Sequence, residues 1–170
     1  MNVEVSAAGA EDRARIEALY EYYVYDFSEI VGLEVGEDGR FHAPSIAEFF
    51  EAPGHHAFLF RLDGVIVGFA LVVEASRLTG ERGVRDMAEF FVLRRHRRGG
   101  VGERAARELF DRFPGRWEVR EKAANVGATA FWRRVIDRHT AGHYEQIELD
   151  DERWRGPVQR FDTLRSARGG

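Results

Sequence analysis

The strongest constraint on the fold is an apolar run, Val65 to Val73, entered from Phe58–Leu62 through Asp63-Gly64. Asp-Gly readily supplies the two positive φ angles of a two-residue turn, so the flanking segments are predicted to be antiparallel neighbours. A strand apolar along nearly its whole length is one covered on both faces. Helices therefore have to pack on either side of it, which makes the chain a layered α/β structure. At 170 residues it has room for one such core and not two, so a single site is expected.

The remaining segments fit around that hairpin. Val3–Val5 reads as an opening strand, followed by a helix with the stripe Ile16, Leu19, Tyr20, Tyr23, Val24 and Phe27, spaced as i, i+3, i+4, i+7. Pro44 is expected to open a short second helix through Phe50, stopped by Pro53-Gly54. Met87–Leu93 is a strand, and Val101, Ala105, Leu109 and Phe110 mark a helix from about Gly100 to Pro114. Arg116–Arg120 is a strand; Asn125 can cap a further helix; closing strands lie near His143–Leu149 and Val158–Thr163. The expected order is β-α-α-β-β-β-α-β-α-β-β, one domain over residues 1–165 with a loose tail at 166–170.

Composition narrows the function. A net charge of −4 disfavours a general nucleic-acid binder. The absence of cysteine removes disulfides, thiolate catalysis and thiolate zinc sites. The histidines show no ligand spacing, because His55 and His56 project oppositely in a strand while His139 and His143 are expected beyond the last helix, so no metal is expected. The first residues carry neither a basic nor an apolar leader and no run is long enough to span a bilayer, so no membrane partner and a cytoplasmic location are expected.

The informative stretch is Arg94-Arg95-His96-Arg97-Arg98-Gly99-Gly100-Val101-Gly102, where a strand turns into a helix. Free backbone N–H groups, a positive helix terminus and guanidinium groups meet there, an arrangement that attracts phosphate. Glycine leaves the backbone open to close approach by an anion. Residues 100–105 also satisfy the G-x-G-x-x-A dinucleotide fingerprint, with Glu121 downstream, but an antiparallel hairpin and a basic segment precede them where that fingerprint needs the first turn of a parallel sheet. A Walker lysine is missing, since Glu103 and Arg104 follow Gly102.

These residues resemble the GNAT superfamily of acyl-CoA N-acyltransferases, whose Gln/Arg-x-x-Gly-x-Gly/Ala signature is met by Arg97, Gly100 and Gly102. Ala88–Leu93 is similar to the family's fourth strand, and Asn125 to Trp132 to its Asn-x-x-Ala-x-x-Phe-Tyr helix. Tyr25–Glu29, Glu89-Phe90-Phe91 and Phe131-Trp132-Arg133 further resemble a bacterial branch of predicted acetyltransferases. The resemblance implies a mostly antiparallel sheet of about seven strands with helices on both faces, splayed between Met87–Leu93 and Arg116–Arg120. It also implies acetyl-CoA as co-substrate. Backbone groups of Phe91, Val92 and Leu93 would pair with pantetheine, Arg97 to Gly102 would hold the pyrophosphate, Asn125 would reach the pantetheine arm, and Phe131 and Trp132 would flank the thioester.

An ammonium acceptor with pKa ~10.4 must lose a proton at a cost of roughly 4 to 5 kcal/mol at pH 7 unless a base assists. Glu89, on the strand that meets the thioester, is the candidate base. Trp132 stands where many relatives have a proton-donating tyrosine, so the acid is unassigned among Tyr144, Tyr25, His139 and water. Tyr22, Tyr25, Asp26 and Glu29 fall at the family's acceptor wall, where rings and carboxylates suit a small-molecule or peptide amine. A coenzyme-binding sensor without turnover is the alternative; a nucleic-acid module built on Arg94–Arg98 lacks a recognition helix; a homodimer stays open.

Overall fold

The computed structural model describes residues 1–166, with the backbone alone at Ser166. Seven strands form one sheet: β1 (Val3–Ala7), β2 (His55–Leu62), β3 (Val65–Ala75), β4 (Arg82–Val92), β5 (Arg116–Arg120), β6 (Tyr144–Asp150) and β7 (Arg155–Asp162). Five helices accompany them: α1 (Arg13–Val31), α2 (Glu48–Glu51), α3 (Val101–Arg112), α4 (Val126–Thr140) and α5 (Thr163–Ser166). The expected tail otherwise lies outside the described residues.

The sheet order is β1-β2-β3-β4-β5-β7-β6, antiparallel except where β4 meets β5. Asp63 and Gly64 have φ of 48° and 84°, the pair of positive angles that the hairpin reading requires. Strand β3 is buried on both faces, as its composition demands. Val67, Ala70 and Val72 pack with α3 and α4 residues such as Ala105, Leu109 and Ile136, while Phe69, Leu71 and Val73 pack with Ile16 and Leu19 of α1 and Phe49 of α2.

Two expectations are corrected, at Pro44 and at His139. Helix α2 begins at Glu48 rather than at Pro44; the Ser45 hydroxyl instead accepts a bond from the Ala47 N–H at 3.2 Å, a local turn that competes with helix. Arg94–His96 is a 3-10 turn between β4 and α3. His139 lies inside α4, not beyond it, with its ring 5.2 Å from that of Phe110.

Asn125 caps α4 as its type predicts, its Oδ1 accepting from the Ala128 N–H at 3.2 Å. Replacing it with alanine orphans that donor. Asn125→Ala is expected to cost about 1 kcal/mol of stability, read as a lower midpoint in denaturant with an unchanged slope.

Candidate active site

The site originates in the one parallel pairing. Strands β4 and β5 pair only over Val84–Arg116, Arg85–Trp117 and Asp86–Glu118, after which no rung joins them. The rest of β4, Met87 to Val92, therefore keeps one edge bonded to β3 and leaves the other open.

The alternation of the antiparallel ladder decides which backbone groups are available. The Leu93 N–H donates to the Val67 carbonyl at 2.8 Å, and Phe91 and Glu89 follow in register with Phe69 and Leu71. Those three residues direct their backbone toward β3, so Phe90 and Val92 direct theirs into the splay. This corrects the expectation that Phe91 and Leu93 offer main-chain groups there. The Val92 carbonyl is already engaged by Arg97 Nε at 2.7 Å, which leaves its N–H.

Beyond β4 the chain makes its anion cradle. Arg98 has φ 67° and Gly100, immediately before α3, has φ 81°. The left-handed turn aims successive N–H groups to one side. Among the described residues, no main-chain bond outside α3 uses the N–H of Arg98, Gly99 or Gly100, and no side chain caps α3. A Cβ placed on Gly99 or Gly100 would meet nothing within 4 Å, so the cradle is open. Gly102 has another reason to be glycine: a Cβ there would lie 3.2 Å from the Phe131 ring. Val101 turns its side chain into the core and offers only its amide.

Of the arginines, Arg94 and Arg97 are bound to Asp26 of α1, and Arg97 also lies over the Phe91 ring at 5.5 Å. They brace the loop against α1. Arg98 is exposed, lines the cleft and, among the described residues, makes no ion pair.

A cleft of about 920 Å³ joins these parts, running from Arg98, Gly100 and Gly102 past Phe90–Val92 to Asn125, Phe131 and Trp132, with α1 as its far wall. A smaller cavity of about 270 Å³ adjoins it, sharing Tyr23, Phe90, Asn125 and Trp132 and adding Arg77, Glu89, Glu121 and Trp154.

Glu89 stands in that smaller cavity on the α1 side of the sheet. Burial pushes its carboxyl above the ordinary range, a rise partly offset by hydrogen bonding with Tyr23 and by the charges of Arg77 and Arg120. Burial, then the adjacent Glu89, holds the Tyr23 hydroxyl well above its own ordinary value. Tyr23 was legible only as a member of the helix stripe; its hydroxyl end reaches the site while its ring packs edge-on against Phe91 at 5.9 Å.

The other expected residues are distributed differently. Asp26 and Glu29 line the large cleft, but Asp26 is committed to Arg94 and Arg97. Tyr22 and Tyr25 are 59% and 66% exposed on the outer face of α1 and line neither cavity. Tyr144 sits on β6 against the core and also lines neither, as does His139.

In the sequence Glu121 stands out only by its distance from the glycines. It is 3% exposed, and neither carboxylate oxygen receives a hydrogen bond. The Gln159 side chain is within reach, yet its amide oxygen is likewise without a partner. Burial raises the Glu121 carboxyl from 4.5 to about 8, a rise that the Gln159 side chain and the charge of Arg133 only partly offset. Gly156 permits this burial, since a Cβ on it would lie 2.2 Å from the Glu121 carbonyl oxygen.

The folded state thus binds a proton at Glu121 that the unfolded chain releases above about pH 4.5. The folded protein holds more protons between that value and 8, so this group costs progressively more stability as pH rises through the window. Glu121→Gln removes the cost. The stability gain over wild type is expected to be near zero at pH 4 and to reach a few kcal/mol by pH ~8. Thermal unfolding of both proteins across that range checks it; a gain that shrinks with rising pH contradicts it.

Among the described residues no three His, Asp or Glu side chains are grouped to hold a metal ion, and no helix is long and apolar enough to cross a membrane.

Residues 16–136 match the model of the acetyltransferase (GNAT) family. No curated protein sequence gives a match. Among solved structures the chain is similar to an acetyltransferase from Thermus thermophilus, with a TM-score of 0.67 at 16% identity over 95% of this chain and 97% of that one. It is similar to AAC(6')-Ib in complex with ribostamycin and coenzyme A, at 0.67 and 15% identity over 99% and 98% of the two chains. It is also similar to yncA from Salmonella typhimurium with its cofactor acetyl-CoA, at 0.62 and 16% over 96% and 95%. At such identities the likeness is one of fold.

Proposed function

The chain belongs to the GNAT family of acetyltransferases, and from that premise we propose that it transfers an acetyl group from acetyl-CoA to a primary amine, using the two adjoining cavities for the two substrates. The observation that carries this reading is the open cradle at Arg98–Gly102 at one end of a cleft whose walls include the unpaired edge of β4. A diphosphate fits the cradle by charge and by space. A pantetheine amide carbonyl fits the Val92 N–H, and the Phe90 N–H and carbonyl offer a second rung.

In this reading Asn125, whose side-chain carbonyl is spent on the helix cap, has its amide nitrogen left for the pantetheine arm, and it lines both cavities. Phe131 and Trp132 wall the same region, their rings 5.0 Å apart. The thioester end then reaches Phe90 and Trp132, where the cavities meet, with Glu89 next along β4 in the smaller one. Transfer breaks the carbon–sulfur bond and forms a carbon–nitrogen bond, and the attacking nitrogen must first give up a proton. Glu89 accepts it, directly or through water, and its burial makes it a better base than an exposed carboxylate. The departing thiolate takes a proton from solvent, because thiols are acidic enough for that route.

A sensor that binds acetyl-CoA without turnover is the competing reading. Thiol release by the protein with acetyl-CoA and a panel of primary amines separates the two. Amine-dependent release supports transfer; saturable acetyl-CoA binding with release no faster than hydrolysis, across the whole panel, would favour the sensor.

A further inference from the structure

The smaller cavity contains charged and polar groups the fold has not satisfied. Of its cations, Arg120 is held by Asp86 at 3.1 and 3.2 Å and lies under Trp154. Arg77 makes no ion pair among the described residues, and Lys122 has only the face of Trp154, 4.0 Å from its Nζ. Of its carboxyls, Glu89 has the Tyr23 hydroxyl, whereas Glu121 is buried with both oxygens unpartnered. A buried polar group left in this condition costs about 1 to 3 kcal/mol, a cost a bound ligand relieves.

We infer that this cavity is the acceptor site and that it selects a compact zwitterionic amine, with N–H donors for Glu89 and Glu121 and an anionic group for Arg77 and Lys122. The inference rests on the acetyltransferase reading and adds to it the class of acceptor. Size supports compactness: about 270 Å³ is room for roughly nine or ten non-hydrogen atoms, the scale of an α-amino acid rather than of a folded protein's surface loop. Charge supports the zwitterion. A simple monoamine leaves Arg77 and Lys122 facing an empty position, and a diamine meets both as like charges. The aromatic wall of Trp132 and Trp154 suits the ligand's carbon frame.

The test uses the full chain with acetyl-CoA and follows thiol release with three matched sets: the common L-α-amino acids, the monoamines made by removing their carboxylate, and α,ω-diamines. At least one amino acid is expected to exceed its decarboxylated counterpart by about tenfold or more in kcat/KM. Arg77→Ala, at an exposed side chain, is expected to abolish that preference by raising KM about tenfold with kcat changed far less. Glu121→Gln is expected to raise KM for the amine while acetyl-CoA affinity, measured separately by calorimetry, stays at the wild-type value.

Parity between amino acids and monoamines, a preference for diamines, acetylation of none of the amino acids by protein that binds acetyl-CoA, or an unchanged amine KM in Glu121→Gln would each overturn the inference and leave the acetyl-CoA site standing. Failure of the wild type to bind acetyl-CoA would remove both.

Discussion

Arg98→Glu is expected to weaken acetyl-CoA binding by about 100-fold with no loss of fold stability. The side chain is exposed and makes no ion pair among the described residues, so its removal disturbs little of the apoprotein. A charge-assisted contact to phosphate contributes about 1.5 to 3 kcal/mol, and reversing the charge adds repulsion. Every 1.4 kcal/mol is about tenfold in affinity, which sets the scale. The comparison that gives this meaning is Arg95→Glu. Arg95 is a neighbour of like charge that does not line the cleft, and its reversal is expected to change affinity severalfold at most. Calorimetric titration of the three proteins at one salt concentration decides it. Equal losses in both variants would reduce the cradle to a diffuse field of positive charge.

The second large effect belongs to Glu89. Glu89→Gln is expected to lower kcat by about 10² to 10³ while leaving acetyl-CoA affinity unchanged, because the amide keeps the shape of the carboxyl and loses its basicity. The pH profile carries a sign that can be checked. Only the ionised carboxylate is a base, so kcat should rise with pH through the carboxyl's own titration, and burial places that limb above the ordinary carboxylate range. In Glu89→Gln the limb disappears, and residual activity follows the ionisation of the amine. A variant whose limb survives at the wild-type position would place the titrating group elsewhere, and Glu121 would be next in line.

The sequence foreshadowed those parts of the molecule that are decided locally. Asp63-Gly64, the strand Arg116–Arg120 and the Asn125 cap each follow from the residue types at the position, and the structure shows them where those types put them. The glycine cradle was legible for the same reason, since open amides need glycines and a helix start in sequence. What stayed hidden depends on distant partners. By type Asp26 reads as an acceptor-binding carboxylate, but Arg94 and Arg97, 68 and 71 positions along the chain, bind it. The backbone groups that face the splay could be told from those that do not only by the rung between Leu93 and Val67. Glu121 is a surface residue by type and a buried one by circumstance, because Gly156, the second residue of β7, lies against its carbonyl. Tyr23 shows a different limit. Periodicity assigns a tyrosine to the apolar face without saying that its hydroxyl extends past that face to a carboxylate.

The turn from β4 into α3 is expected to grip a nucleoside diphosphate through its own amides. A crystal structure with acetyl-CoA bound tests it most directly. Pyrophosphate oxygens are expected about 2.7 to 3.2 Å from N–H groups between Arg98 and Gly102, with pantetheine running along Phe90 and Val92. A diphosphate seated anywhere else on the protein, with those amides turned to solvent, would contradict it.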